Sequence, residues 1–221
     1  MPLETKIVLS DKELALVKEG EWILTKQVII QKVFEILNQG VKVIDEEILV
    51  NTVETPVFKT DYPKIYKGEN YLGLPYVTLD YPRSFKKEDI FALRTMFWWS
   101  KFFSITFHVG GSFKKWFLTR LKENHQHIPA EFHICIHEEQ WHHHFETDNY
   151  IPVQGVSLSR LDKILNEKDF IKLSLKYDLK DINDMQHLLS EGYKTIGKMI
   201  TNYPGGETIL LPDIPKADFD L

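Results

Sequence analysis

Two adjacent runs of aromatic and β-branched residues constrain the fold of this chain more than any other feature. Residues 91–99 and 102–109 form these runs, and only Ser100 and Lys101 separate them. Aromatic and β-branched side chains favour strands. A two-residue connection is typical of a β-hairpin, although neither connecting residue is the Gly or Asn that such turns prefer. A short helix over residues 88–95 is the competing interpretation, and the pattern as a whole favours the hairpin.

Helical and strand patterns flank this hairpin on both sides. Ser10 and Glu13 have the spacing of a capping box, which begins a helix. Apolar residues at helical spacing over 22–37 predict a second helix that ends at Gly40. Further patterns predict a short strand within 41–53, helices over 113–123, 159–167 and 181–200, and strands over 131–137, 142–147 and 170–177.

This order of elements predicts one α+β domain over residues 1–221. Strands follow one another through short turns and helices form separate blocks, which favours an antiparallel sheet of about five to six strands with helices mainly on one face. Pro75 and Pro82 restrict the strand pattern nearby to an edge or to a short central piece. We expect an N-terminal helical segment (1–40), a long C-terminal helix and a C-terminal tail (204–221).

Composition narrows the class of partner. Of the 221 residues, 43% are hydrophobic and 27% charged, as in ordinary folded domains, and the formal net charge is −5. A negative chain lacks the field that attracts polyanions, so nucleic acid is not an expected partner. No apolar run approaches the roughly 18–20 residues of a membrane span. A single cysteine, Cys135, allows no intrachain disulfide, and no secretory signal is visible, so we expect a cytoplasmic protein without a membrane partner.

An unusual concentration of histidines lies between residues 131 and 147. If 131–137 and 142–147 pair as a hairpin, burial of Ile134 and Ile136 places the intervening side chains on the opposite face. Phe132, Phe145 and His143 fall on the apolar side in this interpretation. The other face then displays a polar set, namely His133, Cys135, His137, His142, His144 and Glu146.

The histidine face predicts a metal site. Opposed Cβ atoms in a hairpin lie about 4.5–5.5 Å apart, close enough for two imidazoles to bind one divalent ion such as zinc, iron, manganese or nickel. The expected ligands are His133, His137, His142, His144 and Glu146. None of the recognised metal-binding spacings occurs in the chain. A solvated polar face, or acid–base chemistry with Cys135, explains the same pattern without a metal.

Three further residues are expected to line a ligand pocket. Arg94 lies among aromatic residues and must find a partner, such as Asp80 or Glu88, or a carboxylate on a ligand. His108 shares a face of its strand with Ser104 and Thr106. Cys135 is the third, because flanking imidazoles can lower the pKa of a thiol.

Two functions are consistent with these patterns, and whether the chain is an enzyme is left open. The first is a ligand-binding or assembly module without catalysis, which takes a small-molecule ligand or forms a homo-oligomer through the tail 204–221. The alternative is a metal-dependent enzyme, oxygenase-like or hydrolytic, that uses the histidine face.

Overall fold

The computed structural model describes residues 6–49, 62–86, 89–123 and 128–201. Within these ranges the strands are β1 (Lys64–Tyr71), β2 (Leu74–Lys86), β3 (Asp89–Trp98), β4 (Phe102–Gly110), β5 (His133–Cys135), β6 (Tyr150–Pro152) and β7 (Phe170–Asp178). The helices are α1 (Asp11–Lys18), α2 (Gly20–Ile44), α3 (Gly111–Glu123), α4 (Leu158–Glu167) and α5 (Met185–Thr201). A π-helical turn (Asp45–Leu49) follows α2, and a 3₁₀ segment (Leu179–Asp184) precedes α5.

The strands form one antiparallel sheet in the order β1-β2-β3-β4-β7-β5-β6. Its centre is the predicted aromatic hairpin of β3 and β4, in which Trp98 pairs with Phe102 and Ser100 takes the positive φ of 61° that closes the turn. The hairpin is confirmed, but its connection has three residues, Trp99, Ser100 and Lys101, instead of the expected two. The alternative of a helix over 88–95 is wrong. The α+β class, with an antiparallel sheet and a long C-terminal helix, is confirmed as well.

Alternate residues of each strand point to opposite faces of this sheet. One face, the helix face, packs against α2, α3 and α5. Its buried side chains are almost all apolar and come from every central strand, among them Val77, Leu79, Leu93, Phe97, Ile105, Phe107, Leu173 and Leu175. The other face, the loop face, carries polar side chains and is covered by the connection between β5 and β6. Both faces of the central strands are therefore buried.

α2 and α5 approach each other closely at Gly40. A Cβ atom at Gly40 would lie 2.9 Å from the hydroxyl oxygen of Tyr193, which is fully buried and bonded to the Thr95 hydroxyl at 2.7 Å. Gly40 is therefore a contact residue and not the helix end that the sequence predicted. Helical structure continues to Leu49, so the strand prediction within 41–53 is wrong for 41–49, and 50–53 lie outside the described residues.

Two other strand predictions need correction. β2 is a 13-residue interior strand between β1 and β3, although Pro75 and Pro82 predicted an edge or a short strand. Pro82 is accommodated because the register of β2 and β3 shifts between Asp80 and Arg83, where the ladder needs no N–H donor. Residues 142–147 form no strand, and β5 pairs instead with Tyr150–Pro152.

The N-terminal helices begin as predicted. Ser10 accepts a hydrogen bond from the Glu13 backbone and Glu13 bonds back to Ser10, which completes the capping box. Residues of this segment expose several large apolar side chains: Ile7, Val8, Leu9, Leu14, Leu16, Val17, Trp22, Ile23, Leu24 and Val28. Within the described ranges, no helix combines the length and apolarity that a bilayer crossing requires. The tail 204–221 lies outside the described residues, so its predicted role in assembly stays a prediction.

The approach of α2 to α5 gives a direct test of this packing. Alanine normally stabilises a helix interior relative to glycine, but Gly40→Ala must displace a ring that burial and the Thr95 bond hold in place. We expect the free energy of unfolding to fall by about 1–3 kcal/mol, measured by urea denaturation. Gly20→Ala is the matched control because nothing lies within 4 Å of its Cβ position. Equal stability of the two variants would contradict the packing.

Candidate functional site

A row of polar side chains crosses the loop face from strand to strand. Asp80 on β2 pairs with Arg94 on β3, which pairs with Thr106 on β4. Thr106 in turn pairs with Ser174 on β7, and Ser174 pairs with His133 on β5. Directly opposed residues share a face, so the register alone aligns these five side chains. The row follows from β-sheet geometry, and its polarity makes this face unlike an ordinary core.

The strongest interaction in the row is the ion pair of Arg94 and Asp80. The Arg94 Nε atom lies 2.6 Å from Asp80 Oδ1 and Nη2 lies 2.8 Å from Oδ2, so the pair is bidentate. Arg94 Nη1 donates to Nε2 of His143 at 2.9 Å. A guanidinium has five N–H donors, so two remain for another acceptor. The pairing with Asp80 that the sequence suggested is confirmed.

Residues 136–149, here called the histidine loop, cover the loop face. Side chains of the sheet hold this loop at its middle. The Tyr71 hydroxyl accepts hydrogen bonds from the backbone N–H groups of His143 and His144 at 2.6 and 3.2 Å. Lys172 donates to the carbonyl of His142, and the His108 ring bonds to the Gln140 side chain at 3.0 Å. The loop is thus attached to β1, β4 and β7 as well as to Arg94 on β3.

The hydrogen-bond network assigns the state of three imidazoles in the loop. His143 Nε2 accepts from the guanidinium, so His143 is neutral with its proton on Nδ1. His137 Nδ1 accepts the N–H of Glu139 at 2.9 Å. The Tyr71 hydroxyl already accepts two N–H bonds, and its own proton points to His144 Nδ1 at 3.1 Å. In the neutral rings of His137 and His144 the proton therefore sits on Nε2, and the acceptor nitrogen is occupied.

The residues predicted to bind a metal are only partly brought together. The ring centroids of His137 and His142 lie 4.2 Å apart, and those of His142 and His144 lie 5.2 Å apart. His133 packs instead on Phe145, and the side chain of Glu146 is exposed. Among the described residues, no group of three or more His, Cys, Asp or Glu has the arrangement of a metal site. The metal hypothesis stays a prediction, and the occupied nitrogens of His137 and His144 do not favour it.

Two compartments lie between the loop face and the histidine loop. The tyrosine cavity has a volume of about 190 Å³ and is lined by Tyr66, Tyr71, Tyr76, Thr78, Arg94, Met96, Trp141 and His143. The lysine compartment has about 10 Å³ and is lined by Phe85, Ala92, Arg94, Thr106, His108, Trp141, His143 and Lys172. Ten cubic ångströms is near the minimum for one water molecule. Arg94, Trp141 and His143 line both compartments and form the junction between them.

Lys172 is the most unusual residue of the lysine compartment. Its side chain is buried to 1% exposure and lies 5.3 Å above the Tyr150 ring. The structure shows no carboxylate paired with it among the described residues. The pKa of the Lys172 ammonium is lowered to about 8, chiefly by burial; Cys135 opposes this shift and the charge of nearby Arg94 adds to it. Such a cation costs stability, because its hydration is lost and no anion replaces it.

Burial also keeps the histidines of this compartment neutral. Desolvation lowers the pKa of His108 to about 3, with a further contribution from Lys172. The pKa of His143 is lowered well below its usual value, first by desolvation and then by the charges of Lys172 and Arg94. Both rings therefore remain uncharged at neutral pH.

The three residues predicted for a ligand pocket divide between two environments. Arg94 and His108 line the lysine compartment, and Arg94 also lines the tyrosine cavity. Cys135 lies apart, packed with Tyr150 and Phe170 and donating to Asn149 Oδ1 at 3.4 Å. Burial raises the pKa of the Cys135 thiol. A reactive thiolate is therefore not favoured at this position.

Sequence reasoning missed most of the residues that form the two compartments. Lys172 alternates with Ile171 and Leu173, so its place on the loop face was readable from strand periodicity, but its burial was not. His143 was expected on the apolar side, and it points instead toward Arg94 because residues 142–147 form a loop. Tyr66 and Tyr71 come from β1, whose pairing with β2 the sequence did not predict.

A larger apolar groove, of about 400 Å³, lies between α3 and α4. Its two charged lining residues, Lys122 and Asp162, are exposed. Of the buried polar atoms without a partner in the described ranges, none belongs to a residue that lines this groove. The tyrosine cavity differs because Thr78, a residue 1% exposed, lines it, and its hydroxyl makes no hydrogen bond of normal geometry among the described residues, with only the Tyr66 hydroxyl beside it.

Comparisons with known proteins add no relative to this description. No protein-family model, no curated protein and no solved structure matches the chain. The site therefore has to be interpreted from its own geometry.

The neutral histidines predict a dependence of stability on pH. In the unfolded chain a histidine takes up its proton near pH 6.5, whereas folded His108 and His143 do so only at lower pH. The unfolded state then binds more protons as the pH falls below about 6.5, so the free energy of unfolding decreases by about 2 kcal/mol per histidine between pH 7 and 5. Urea denaturation at these pH values measures the loss.

The matched variant for this test is His108→Gln combined with His143→Gln. Glutamine keeps an acceptor for Arg94 and a partner for Gln140 but does not titrate. We expect the double variant to lose clearly less stability than the native chain over the same pH interval. An unchanged pH dependence would show that these two rings are not the buried neutral groups described above.

Lys172→Met is expected to stabilise the folded protein. The substitution removes a buried cation without a carboxylate partner and keeps a side chain of similar length. It also removes the hydrogen bond to the His142 carbonyl, which offsets part of the gain, so the free energy of unfolding at pH 7 should rise by about 1–2 kcal/mol. Thermal and urea denaturation measure the change. Lys176→Met is the control and should have little effect, because Lys176 lies four residues further along the same strand, on the same face, but is exposed. Destabilisation by Lys172→Met alone would contradict this account of the compartment.

Proposed function

We propose that this protein binds a small planar organic molecule in the tyrosine cavity, beneath the histidine loop. The observation that carries the proposal is an aromatic cavity beneath the histidine loop in which polar groups have unused hydrogen-bonding capacity. Ligand sites are typically concave and largely apolar, with a few placed polar groups. The volume of about 190 Å³ is below the usual range of drug-sized pockets, about 300–1,000 Å³, which favours a small ligand.

The lining supports a planar shape for the ligand. Tyr71 and Tyr76 are in edge contact, with centroids 6.3 Å apart, and Tyr66 contacts Tyr76 at 6.4 Å. Trp141 contributes a further ring, and its side chain is 46% exposed at the mouth of the cavity. Aromatic walls of this kind bind planar groups through stacking and edge contacts. Met96 adds an adaptable apolar surface.

The polar groups support a ligand that carries hydrogen-bond acceptors. Arg94 has two N–H donors left after its bonds to Asp80 and His143. The Thr78 hydroxyl lies beside the Tyr66 hydroxyl but makes no hydrogen bond of normal geometry among the described residues, so it adds a third donor. An unpartnered buried hydroxyl is costly, and a ligand oxygen or nitrogen would satisfy it.

A binding screen tests the proposal. We expect a panel of small planar acids and amides to contain ligands that bind one site per chain with dissociation constants of about 1 mM or tighter, detected by ligand-observed NMR. Thr78→Phe fills the tyrosine cavity and should abolish binding. Ala130→Phe introduces the same ring into the α3–α4 groove and should leave binding intact.

A second variant, Thr78→Val, tests the same site even if Thr78→Phe does not fold. Thr78→Val keeps the shape of the side chain and removes only the hydroxyl, so affinity should fall by about 2- to 12-fold, the value of one neutral hydrogen bond. Loss of binding in Ala130→Phe but not in Thr78→Phe would place the site elsewhere, and the absence of any ligand in the panel would overturn the proposal.

A further inference from the structure

Building on the proposed ligand site, we propose that the bound molecule is an organic carboxylate whose charge is met by Lys172. Its planar body occupies the tyrosine cavity, and its carboxylate lies at the junction of the two compartments, between Arg94 and Lys172. This inference names the chemical class of the ligand, which the shape of the cavity alone does not.

The charges of the buried side chains beneath the histidine loop do not balance. Among the buried residues that the structure describes, Asp80 is the one carboxylate, and Arg94 already binds both of its oxygens. Lys172 is left as a buried cation with a backbone carbonyl and an aromatic ring for neighbours. An anionic ligand would neutralise this charge and recover the electrostatic energy that burial costs.

Unused donors converge on the junction from two sides. A lysine ammonium has three donors, and Lys172 uses one of them on the His142 carbonyl. Arg94 has two donors left, as described above. A carboxylate accepts about four hydrogen bonds on two oxygens, which matches donors from both cations. Charge-assisted bonds of this type are roughly twice as strong as bonds between neutral groups.

A carboxylate fits at the junction only if one of the side chains that form its walls moves. Arg94, Trp141 and His143 line both compartments, and the lysine compartment, at about 10 Å³, has no room for a carboxylate unless one of these walls moves. Trp141 is half-exposed, so turning its ring toward solvent costs only its contacts with Phe85 and His108. The carboxylate then accepts from the two donors of Lys172 that the His142 carbonyl does not use.

The ionisable groups around Lys172 make the inference measurable. They come from every neighbouring element and comprise Asp80, Arg94, His108, Cys135, His142, His143 and Tyr150. The pKa values of the three histidines are lowered, and those of Cys135 and Tyr150 are raised. Lys172, with a pKa of about 8, is therefore the group that changes charge between about pH 8 and 9. A bound anion favours the ammonium, so binding in this interval takes up a proton.

Titration calorimetry with matched acids and amides tests the inference. The probes are benzoate and phenylacetate, each paired with its amide, titrated into the native chain at about pH 8.5 in two buffers of different ionisation enthalpy. We expect at least one acid to bind ten or more times tighter than its amide and to take up a fraction of a proton. The amides should take up none.

Variants assign the effect to Lys172. In Lys172→Met the preference for the acid and the proton uptake should both disappear, whereas Lys176→Met, which replaces an exposed lysine of the same strand, should retain them. If acids and amides bind equally, or if the preference survives in Lys172→Met, the inference is overturned while the proposed ligand site stands. If neither acid nor amide binds the native chain, the inference is overturned, and the wider panel of planar molecules decides the proposed ligand site.

Discussion

The ion pair of Asp80 and Arg94, extended to His143, is the interaction on which the covered face of the sheet depends. Two adjacent strands place these charges directly opposite each other, on a face that the histidine loop removes from solvent. A buried guanidinium is tolerated only when its donors find partners. Asp80 supplies two acceptors and His143 supplies a third. Because His143 belongs to the histidine loop, the bond that satisfies the guanidinium also attaches the loop to the sheet.

The loop in turn depends on side chains from widely separated parts of the chain. Tyr71 holds the backbone of His143 and His144, Lys172 holds His142, and Phe145 stacks on Tyr150 with ring centroids 4.7 Å apart. A loop without regular structure leaves backbone groups that must be satisfied individually. Polar side chains on the sheet satisfy them, which explains why this face is polar while the helix face is not. The histidine loop leaves an aromatic cavity and an excess of positive charge beneath it. An unpaired buried charge lowers stability, and such charges often occur at binding sites because function and stability make different demands.

The sequence predicted local features better than long-range ones. The aromatic hairpin, the capping box at Ser10 and the strand at 170–177 follow from residue type and spacing within a few positions. The alternation around Ile134 was also correct, since Ile134 is fully buried on the helix face with His133 and Cys135 on the other. By contrast, Gly40 was interpreted as a helix end because glycine is common there, although its role is to admit Tyr193 from a helix about 150 residues away.

What the sequence determined by itself is therefore the side of each strand on which a residue lies, because the two-residue period of a strand is a property of the local backbone. This period places Arg94, His108, Lys172 and His133 each on the side of its own strand opposite the apolar residues, and the pairing register then brings the four onto one face of the sheet. Only the tertiary structure decided that this face is covered and not solvated. Burial depends on which distant segment packs over a surface, and residues 142–147 cover it as a loop because β5 takes Tyr150–Pro152 as its partner. Because of this pairing, the residues predicted as the second strand of a histidine-bearing hairpin form a loop that is bonded to Arg94 and Lys172 and covers the face.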